Sequence, residues 1–407
     1  MISIYTLTSS LHDAKRIDTL SHEFLESLHI RYTLRGDDFS SYGQGGLDLI
    51  YVRTGGTEGI FRKLLPSLRQ DRPFFLLTSG RNNSLAASME ILAYLNQQGM
   101  RGEILHGSLE WVHDRIVILE KTLLGFQSLH GLRLGVIGTP SDWLIASGCD
   151  REKILQRTGI EIIDIPIARL ISTYEGLSET APEELSPLLK VPCREGTAEK
   201  VRASLPGAER IYRALKQIVE EEHLGGLTLR CFDLLTDIGN TGCLALARLN
   251  AEGIVATCEG DIPTMLSMVI ARAMTGSSGF QCNPSGMDPV TREIHLAHCT
   301  LPLSMTSKYN FDTHFESGIG VGIHGELPMG PVTLFKMDGS LGRSFVERAD
   351  FVRNTYSTNL CRTQVIIRLQ EDSSSIRDYF LRNPIGNHHI LLIGDHTAEL
   401  RSLLHLL

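Results

Sequence analysis

GIVATCEGDIPTMLSMVIARAMTG, residues Gly253–Gly276, reads as one strand–turn–helix unit. Its first part, Gly253–Cys258, is an apolar run of the kind shown by a strand buried on both faces. Asp261 stands where a helix needs an N-cap, and Pro263 falls in the first turn. The apolar residues Ile262–Met274 then continue as a helix that stops near Gly276. This is the building block of a parallel α/β sheet, which binds ligands outside the carboxyl ends of its strands. Glu259 lies in that turn. Asp261 has local work as a cap, whereas Glu259 has none and is free to point into a cleft.

The same beat runs upstream. Ile2–Leu7, Leu47–Val52 and Phe74–Leu77 are short apolar runs, with helical stretches from Asp13 and over Leu85–Leu95. TGGTEG at Thr54–Gly59 lacks the GK[ST] ending of a phosphate loop and reads as a strand-to-helix turn. A long helical stretch, Ser108–Leu129, leads to a second α/β unit. Its strand Leu132–Ile137 ends in GTPSDW, and Ile162–Ile165 and Leu227–Phe232 are further strand candidates. Downstream, from about Phe311, helix signals fade. GIGVGIHGEL, GPVTLFKMDG and RTQVIIRLQED are strand-like runs broken by Gly and Asp, which predicts a mostly β third unit. His389–Ile393 reads as a strand, followed by Asp395 as an N-cap and a final helix.

Composition excludes several classes. A chain of 407 residues with 42% hydrophobic and 21% charged residues is globular, with room for two to four domains. There are 39 Lys and Arg against 47 Asp and Glu, a net charge of −8, and no basic cluster, so nucleic acid is not an expected partner. No apolar run approaches the roughly 20 residues of a membrane helix, and the N-terminus lacks the apolar core of a secretory signal. None of the eight cysteines forms CxxC, and most sit in apolar stretches as packing residues. These features predict a reduced, cytoplasmic protein with no membrane partner. The dinucleotide fingerprint is also lacking, so no organic cofactor is expected.

Three further segments bear on chemistry. GFQCNPSGMD carries Asn283 and Asp288 near a strand end. In EIHLAHCTLP, alternation puts Ile294 and Leu296 on one face and His295 on the other, with His298 near the strand's end. GNHHILLIGDH places His388 just before another strand. One histidine on a strand is most often a hydrogen-bonded structural residue. Glu259 and His298 delivered by two strand ends to one edge favour a ligand reading. Glutamate, histidine and an amide or second carboxylate form a hard N/O set suited to Mn²⁺ or Mg²⁺. Cys258, Cys282 and Cys299 each neighbour a candidate ligand, but alternation turns adjacent side chains to opposite faces.

These segments, together with LRCFDLLTD (Leu229–Asp237), NTGCLALARLNAEGIVATCEGDIPTMLSM (Asn240–Met268), LAHCTLP (Leu296–Pro302), THFESGIGVGI (Thr313–Ile323), CRTQVIIRL (Cys361–Leu369) and GNHHILLIGDHTAEL (Gly386–Leu400), resemble the L-fucose isomerase-like group. That group is related to the L-fucose and L-arabinose isomerases. The resemblance covers essentially the whole chain and is most specific at CEGD, AHCT and GNHH. It implies an α/β fold of two αβα Rossmann-like layered domains followed by a β-rich, barrel-like C-terminal domain. The corresponding boundaries are 1–130, 131–308 and 309–407.

The resemblance also implies a metal-dependent aldose–ketose isomerase working through a cis-enediol, with Mn²⁺ or Mg²⁺ held by acidic residues and histidines. Carried over, Glu259 is the first acidic ligand and base, and His298 and His388 are histidine ligands. The place of the second acid is taken by Asn283, which ligates through its carbonyl but abstracts no proton. Asp261, Asp288 or a water would then fill that role. Relatives form homo-oligomers, often trimers or hexamers, in which a neighbour closes the site. Arg53, Arg81 and Asn82 lie in turns of the first domain and are candidates for substrate contacts from an adjacent subunit. His314 is a further pocket candidate. Two other readings stand beside this one: a non-catalytic sugar-binding relative, favoured by Asn283, and a metal-assisted lyase or hydrolase on the same scaffold.

Overall fold

Strands covered on both faces are mostly apolar, and Ile2–Leu7 (β1), Leu47–Val52 (β3, after Tyr32–Gly36 as β2) and Phe74–Leu77 (β4) are of that kind, with Ser3, Thr6 and Asp48 as the polar exceptions. With Gly102–Leu105 (β5) they form a parallel five-stranded sheet in the order β2-β1-β3-β4-β5. The computed structural model describes residues 2–370 and 376–407. It divides into two compact units, Met1–Gln127 with Arg401–Leu407, and Ser128–Leu400. The chain's end belongs to the first unit because Arg101 donates to the carbonyl oxygens of His405 and Leu406, at 2.7 and 3.1 Å.

In the second unit Arg133–Ile137 (β6), Glu161–Ile165 (β7), Gly226–Leu229 (β8) and Val255–Cys258 (β9) make a parallel sheet in the order β7-β6-β8-β9. β8 is shorter than the predicted strand. The chain leaves it before Cys231 and Phe232 and enters a short helix, Asp233–Asp237. The helix Ile262–Thr275 has eleven buried residues among its fourteen, so it is covered on almost all sides. It packs against β8 and β9 and also against two strands of an antiparallel barrel.

That barrel closes in the order β10-β11-β16-β15-β14-β17. Its strands are Phe280–Asp288 (β10), Glu293–His298 (β11), Pro331–Met337 (β14), Ser344–Thr355 (β15), Thr363–Leu369 (β16) and His389–Ile393 (β17). Lys308–Asp312 (β12) and Gly322–Glu326 (β13) pair separately. Phe280, Leu296, Leu334, Val365 and Ile367 are fully buried in its core cluster. Closure leaves no free edge in the ring. The barrel takes its first strands from Phe280–His298, ahead of residue 309, where the β-rich part was expected to begin. The hairpin turn at Asp288, which accepts from the amide of Val290 at 2.8 Å, makes this pair antiparallel. It therefore joins the barrel and not the parallel sheet. The loss of helix signals near Phe311 does not mark where the barrel starts, and a last helix, Thr397–Leu406, still follows the barrel strands. Glu371 and Asp372 of the expected run RTQVIIRLQED lie outside the described residues. Among the described residues no helix is long and apolar enough to cross a membrane.

Sheet and barrel meet at the carboxyl end of β9. β9 is an edge strand, and the side-chain amide of Gln281 in β10 pairs with both backbone polar groups of one residue there. Gln281 Oε1 accepts from the Cys258 amide at 2.8 Å, and Nε2 donates to the Cys258 carbonyl at 3.5 Å. The buried backbone is thus paired at the point where the chain turns into Glu259.

Candidate metal centre

Glu259 follows β9 with φ of +68°, a left-handed conformation that costs a non-glycine residue energy. Gly260 follows at +70°, and a Cβ there would sit 2.5 Å from the Thr139 carbonyl oxygen and 2.8 Å from Pro140 Cα. Only glycine fits that approach. His298 ends β11 and His388 immediately precedes β17, the two strands that flank β10 in the barrel. Three strand ends therefore converge. Glu259 Oε1 lies 3.4 Å from His388 Nε2 and 3.8 Å from His298 Nε2, and the two imidazole centroids are 5.5 Å apart. One ligand atom from each of the three lies within 4.8 Å of the others, and all three residues are buried.

The surroundings set the role of each nitrogen. His388 is fully buried, its Nδ1 lies 2.8 Å from Asp261 Oδ2, and its Nε2 has no hydrogen-bond partner. A buried ring nitrogen without a partner, beside a carboxylate oxygen and a second imidazole, fits a metal ligand. Asp261 is also fully buried. Its Oδ1 accepts from the Thr264 amide at 2.9 Å and so caps the helix, while Oδ2 holds His388. Carboxylate behind histidine is the usual outer support of a metal-binding imidazole. Lys336 lies 3.8 Å from Asp261 Oδ2 and donates to Thr264 Oγ1 at 2.9 Å. On the other histidine, Thr300 Oγ1 is 2.9 Å from His298 Nδ1. With Nε2 kept free for a ligand, Nδ1 carries the hydrogen and donates to that hydroxyl.

The charges follow from this packing. Burial would lower the pKa of His388, but the Asp261 and Glu259 carboxylates outweigh it and raise it to about 9. Burial would raise the pKa of Glu259, yet His298 and His388 hold its carboxyl well below the usual range. Asp261 is likewise raised by burial but driven well below its ordinary value by Lys336 and His388. Burial pushes the Lys336 ammonium down, against the pull of Asp261.

An aromatic flank lies beside the carboxylate. Trp143, in the GTPSDW turn after β6, donates its indole N–H to Glu259 Oε2 at 2.6 Å. Its ring meets Phe232 edge-on at 4.9 Å, and Phe232 meets His314 edge-on at 5.5 Å. His314 Nδ1 lies 3.1 Å from Ser317 Oγ, and burial lowers its pKa.

Of the residues singled out in the sequence, Glu259, His298 and His388 come together. Asp261 stands behind His388. Asn283 is half-buried in β10 opposite Ala297, and its Oδ1 accepts from Asn387, the neighbour of His388, at 3.3 Å. Asp288 is spent on its hairpin turn. Arg53, Arg81 and Asn82 belong to the first unit. There Arg53 lines a crevice of about 700 Å³ and is paired with Asp18 at 2.6 Å. Arg81 and Asn82 are exposed in a turn after β4, where the Asn82 carbonyl accepts from the Gly55 amide at 2.8 Å. All eight cysteines are free thiols, and none joins the triad. Cys258 contacts Cys231, Cys282 donates to the His389 carbonyl, and Cys299 accepts from the Arg362 amide. Trp143, Thr300 and Lys336 were not legible as site residues. A tryptophan in a turn at the carboxyl end of a sheet strand was the one signal that pointed to Trp143.

No protein-family model matches the chain. Among curated proteins it is similar to the sulfoquinovose isomerase of Clostridium sp. (strain MSTE9), 24% identical over 306 residues that cover 68% of this chain and 64% of that protein. It is also similar to the sulfoquinovose isomerases of Alkalicoccus urumqiensis and Priestia aryabhattai, each 22% identical, covering 72% of this chain and 67% and 66% of those proteins. The chain thus spans about two thirds of the length of these relatives. Among solved structures, a D-threo-3-hydroxyaspartate dehydratase from Delftia sp. HT23 aligns at 13% identity, covering 99% of this chain and 85% of that one, with a TM-score of 0.15.

Proposed function

We propose that the protein is a metal-dependent aldose–ketose isomerase of the L-fucose/L-arabinose isomerase kind, acting on a sugar. The observation that carries this reading is the buried triad Glu259, His298 and His388 with the unpartnered His388 Nε2. The similarity to sulfoquinovose isomerases supports it and directs attention to sulfonated hexoses. Two imidazoles and one carboxylate suit a transition ion, so Mn²⁺ is favoured over Mg²⁺, which prefers an all-oxygen shell. Such an ion, when bound, polarises neighbouring carbonyl and hydroxyl oxygens of the sugar and makes the proton on the adjacent carbon more acidic.

The chain's own groups do the rest. Asp261 holds His388 with its Nε2 lone pair inward, and Thr300 does the same for His298. Glu259 is the one carboxylate within the triad. As general base it takes the proton from C2 and returns it to C1 through a cis-enediol, while a proton moves from O2 to O1. Asp261 is a positioning residue here, since both its oxygens are engaged behind His388. Asn283 contributes at most a neutral carbonyl oxygen. That the described residues place one carboxylate in the triad, not two, favours a sugar-binding relative as the second reading. Assembly into a homo-oligomer, a trimer or hexamer, with Arg53, Arg81, Asn82 and His314 serving substrate binding, belongs to the same proposal.

The test is solvent exchange. Mn²⁺-loaded protein in D₂O is expected to incorporate deuterium at C2 of its substrate across a panel of aldoses and sulfonated hexoses, read by proton NMR. Glu259→Gln is expected to abolish exchange. Metal-loaded wild type that exchanges no C2 proton across the panel refutes the isomerase reading and leaves the binding one.

A further inference from the structure

Glu259 has two oxygens with separate tasks. Oε1 faces both histidine Nε2 atoms, and Oε2 accepts the Trp143 N–H at 2.6 Å. A carboxylate on a left-handed residue has no helix or strand to fix its rotamer, so something else must hold it. The loop that carries Trp143 is itself pinned at several points. The Ser141 amide donates to the Glu259 carbonyl at 2.9 Å. The Arg230 guanidinium donates to Pro140 O at 2.7 Å, Thr139 Oγ1 at 3.0 Å and Asp142 Oδ2 at 3.1 Å. Gly260, lacking a Cβ, lets the Thr139–Pro140 backbone press against the turn. A pinned loop delivering one indole N–H to one carboxylate oxygen is the construction of an outer-shell support. Yet the Trp143 residue remains 52% exposed, so burial of its ring does not account for its position.

We infer that Trp143 is the positioning residue of Glu259: its N–H fixes Oε2 and thereby presents Oε1 alone to the ion held with His298 and His388. The inference rests on the metal-dependent reading above and names a residue that neither the sequence nor the relatives assign. The exposed Trp143 ring, packed edge-on against Phe232, then forms an apolar wall beside the reacting carboxylate, suited to the C–H face of a sugar.

The 407-residue chain has two tryptophans, Trp111 and Trp143, so it gives two indole N–H peaks in a ¹⁵N-edited NMR spectrum. Glu259→Gln replaces an anionic acceptor by a neutral one and is expected to shift the Trp143 peak upfield while Trp111 stays put. Trp143→Phe keeps an aromatic ring but removes the donor. Its Mn²⁺ affinity by isothermal titration is expected to fall by about tenfold or more. A Trp143 peak that Glu259→Gln does not move, or a Trp143→Phe protein that binds Mn²⁺ as wild type does, overturns the inference and leaves the isomerase reading standing. Wild type that binds no Mn²⁺ overturns the metal-dependent reading and this inference with it.

Discussion

Asp261→Asn tests the centre at its support. An ionised Asp261 offers two acceptor oxygens, one for the Thr264 amide and one for His388 Nδ1–H. Asparagine has one acceptor and one donor group, so a single orientation serves only one of the two partners. If the amide oxygen keeps the helix cap, its NH₂ faces His388 Nδ1. That nitrogen must then be the acceptor, which puts the ring hydrogen on Nε2 and removes the lone pair the metal needs. Asparagine caps as well as aspartate does, so helix capping is not the main loss. Mn²⁺ affinity is expected to fall by about 10–100-fold, or about 1.4–2.8 kcal/mol. The substitution also strips the counter-charge from fully buried Lys336, 3.8 Å away. Breaking a buried pair from one side costs about 3–5 kcal/mol, which urea unfolding of the metal-free protein reads directly. The double variant Asp261→Asn/Lys336→Met removes the stranded cation, so it is expected to regain much of the stability and none of the metal affinity. Titration calorimetry separates the two effects. An Asp261→Asn protein with wild-type Mn²⁺ affinity would show that the carboxylate does not set the His388 tautomer.

Three further outcomes follow from the geometry of the site. With its pKa raised to about 9, metal-free His388 is protonated at pH 7.5, and a metal must displace that proton. Calorimetry in buffers of different ionisation enthalpy is expected to find about one proton released per Mn²⁺, with affinity rising as pH climbs towards 9 and levelling above it; affinity independent of pH refutes this. Because the folded pKa exceeds the ordinary 6.5, the stabilisation is complete below 6.5 and is lost as pH rises through 9, on the order of 3 kcal/mol in the metal-free protein, measured by urea midpoints at successive pH values. Gly260→Ala is expected to cost about 2–3 kcal/mol, because the new Cβ meets Thr139 O at 2.5 Å on a residue at +70°; a midpoint shift near zero in the same assay would mean the loop yields freely.

Much of the scaffold is readable from the sequence alone. The helix Ile262–Thr275 with Asp261 as its cap, the apolar strands of both parallel sheets and the strand-like runs near the C-terminus follow from local periodicity and turn chemistry. The start of the barrel is not legible in the sequence, because β10 and β11 look like further pieces of an α/β unit until their antiparallel pairing is seen. Asp261 illustrates the same limit within the site. The sequence marked it both as a cap and as a catalytic alternative. Only the 2.8 Å approach of His388, more than a hundred residues later in the chain, shows why its second oxygen is occupied.

The chain's local order therefore determined which residues end strands at a sheet edge: Glu259, His298 and His388 each sit at such a boundary, and periodicity alone puts them there. Tertiary structure decided which of these ends meet and what stands behind them. Barrel closure brings β11 and β17 to either side of β10, and the Gln281 bond ties β10 to β9, so three distant segments share one buried point. Trp143 and Lys336 act there through a single hydrogen bond or charge across long sequence separations. Such contacts leave no periodic trace in a sequence, because a hydrogen bond requires only that two atoms meet, whatever the path of the chain between them.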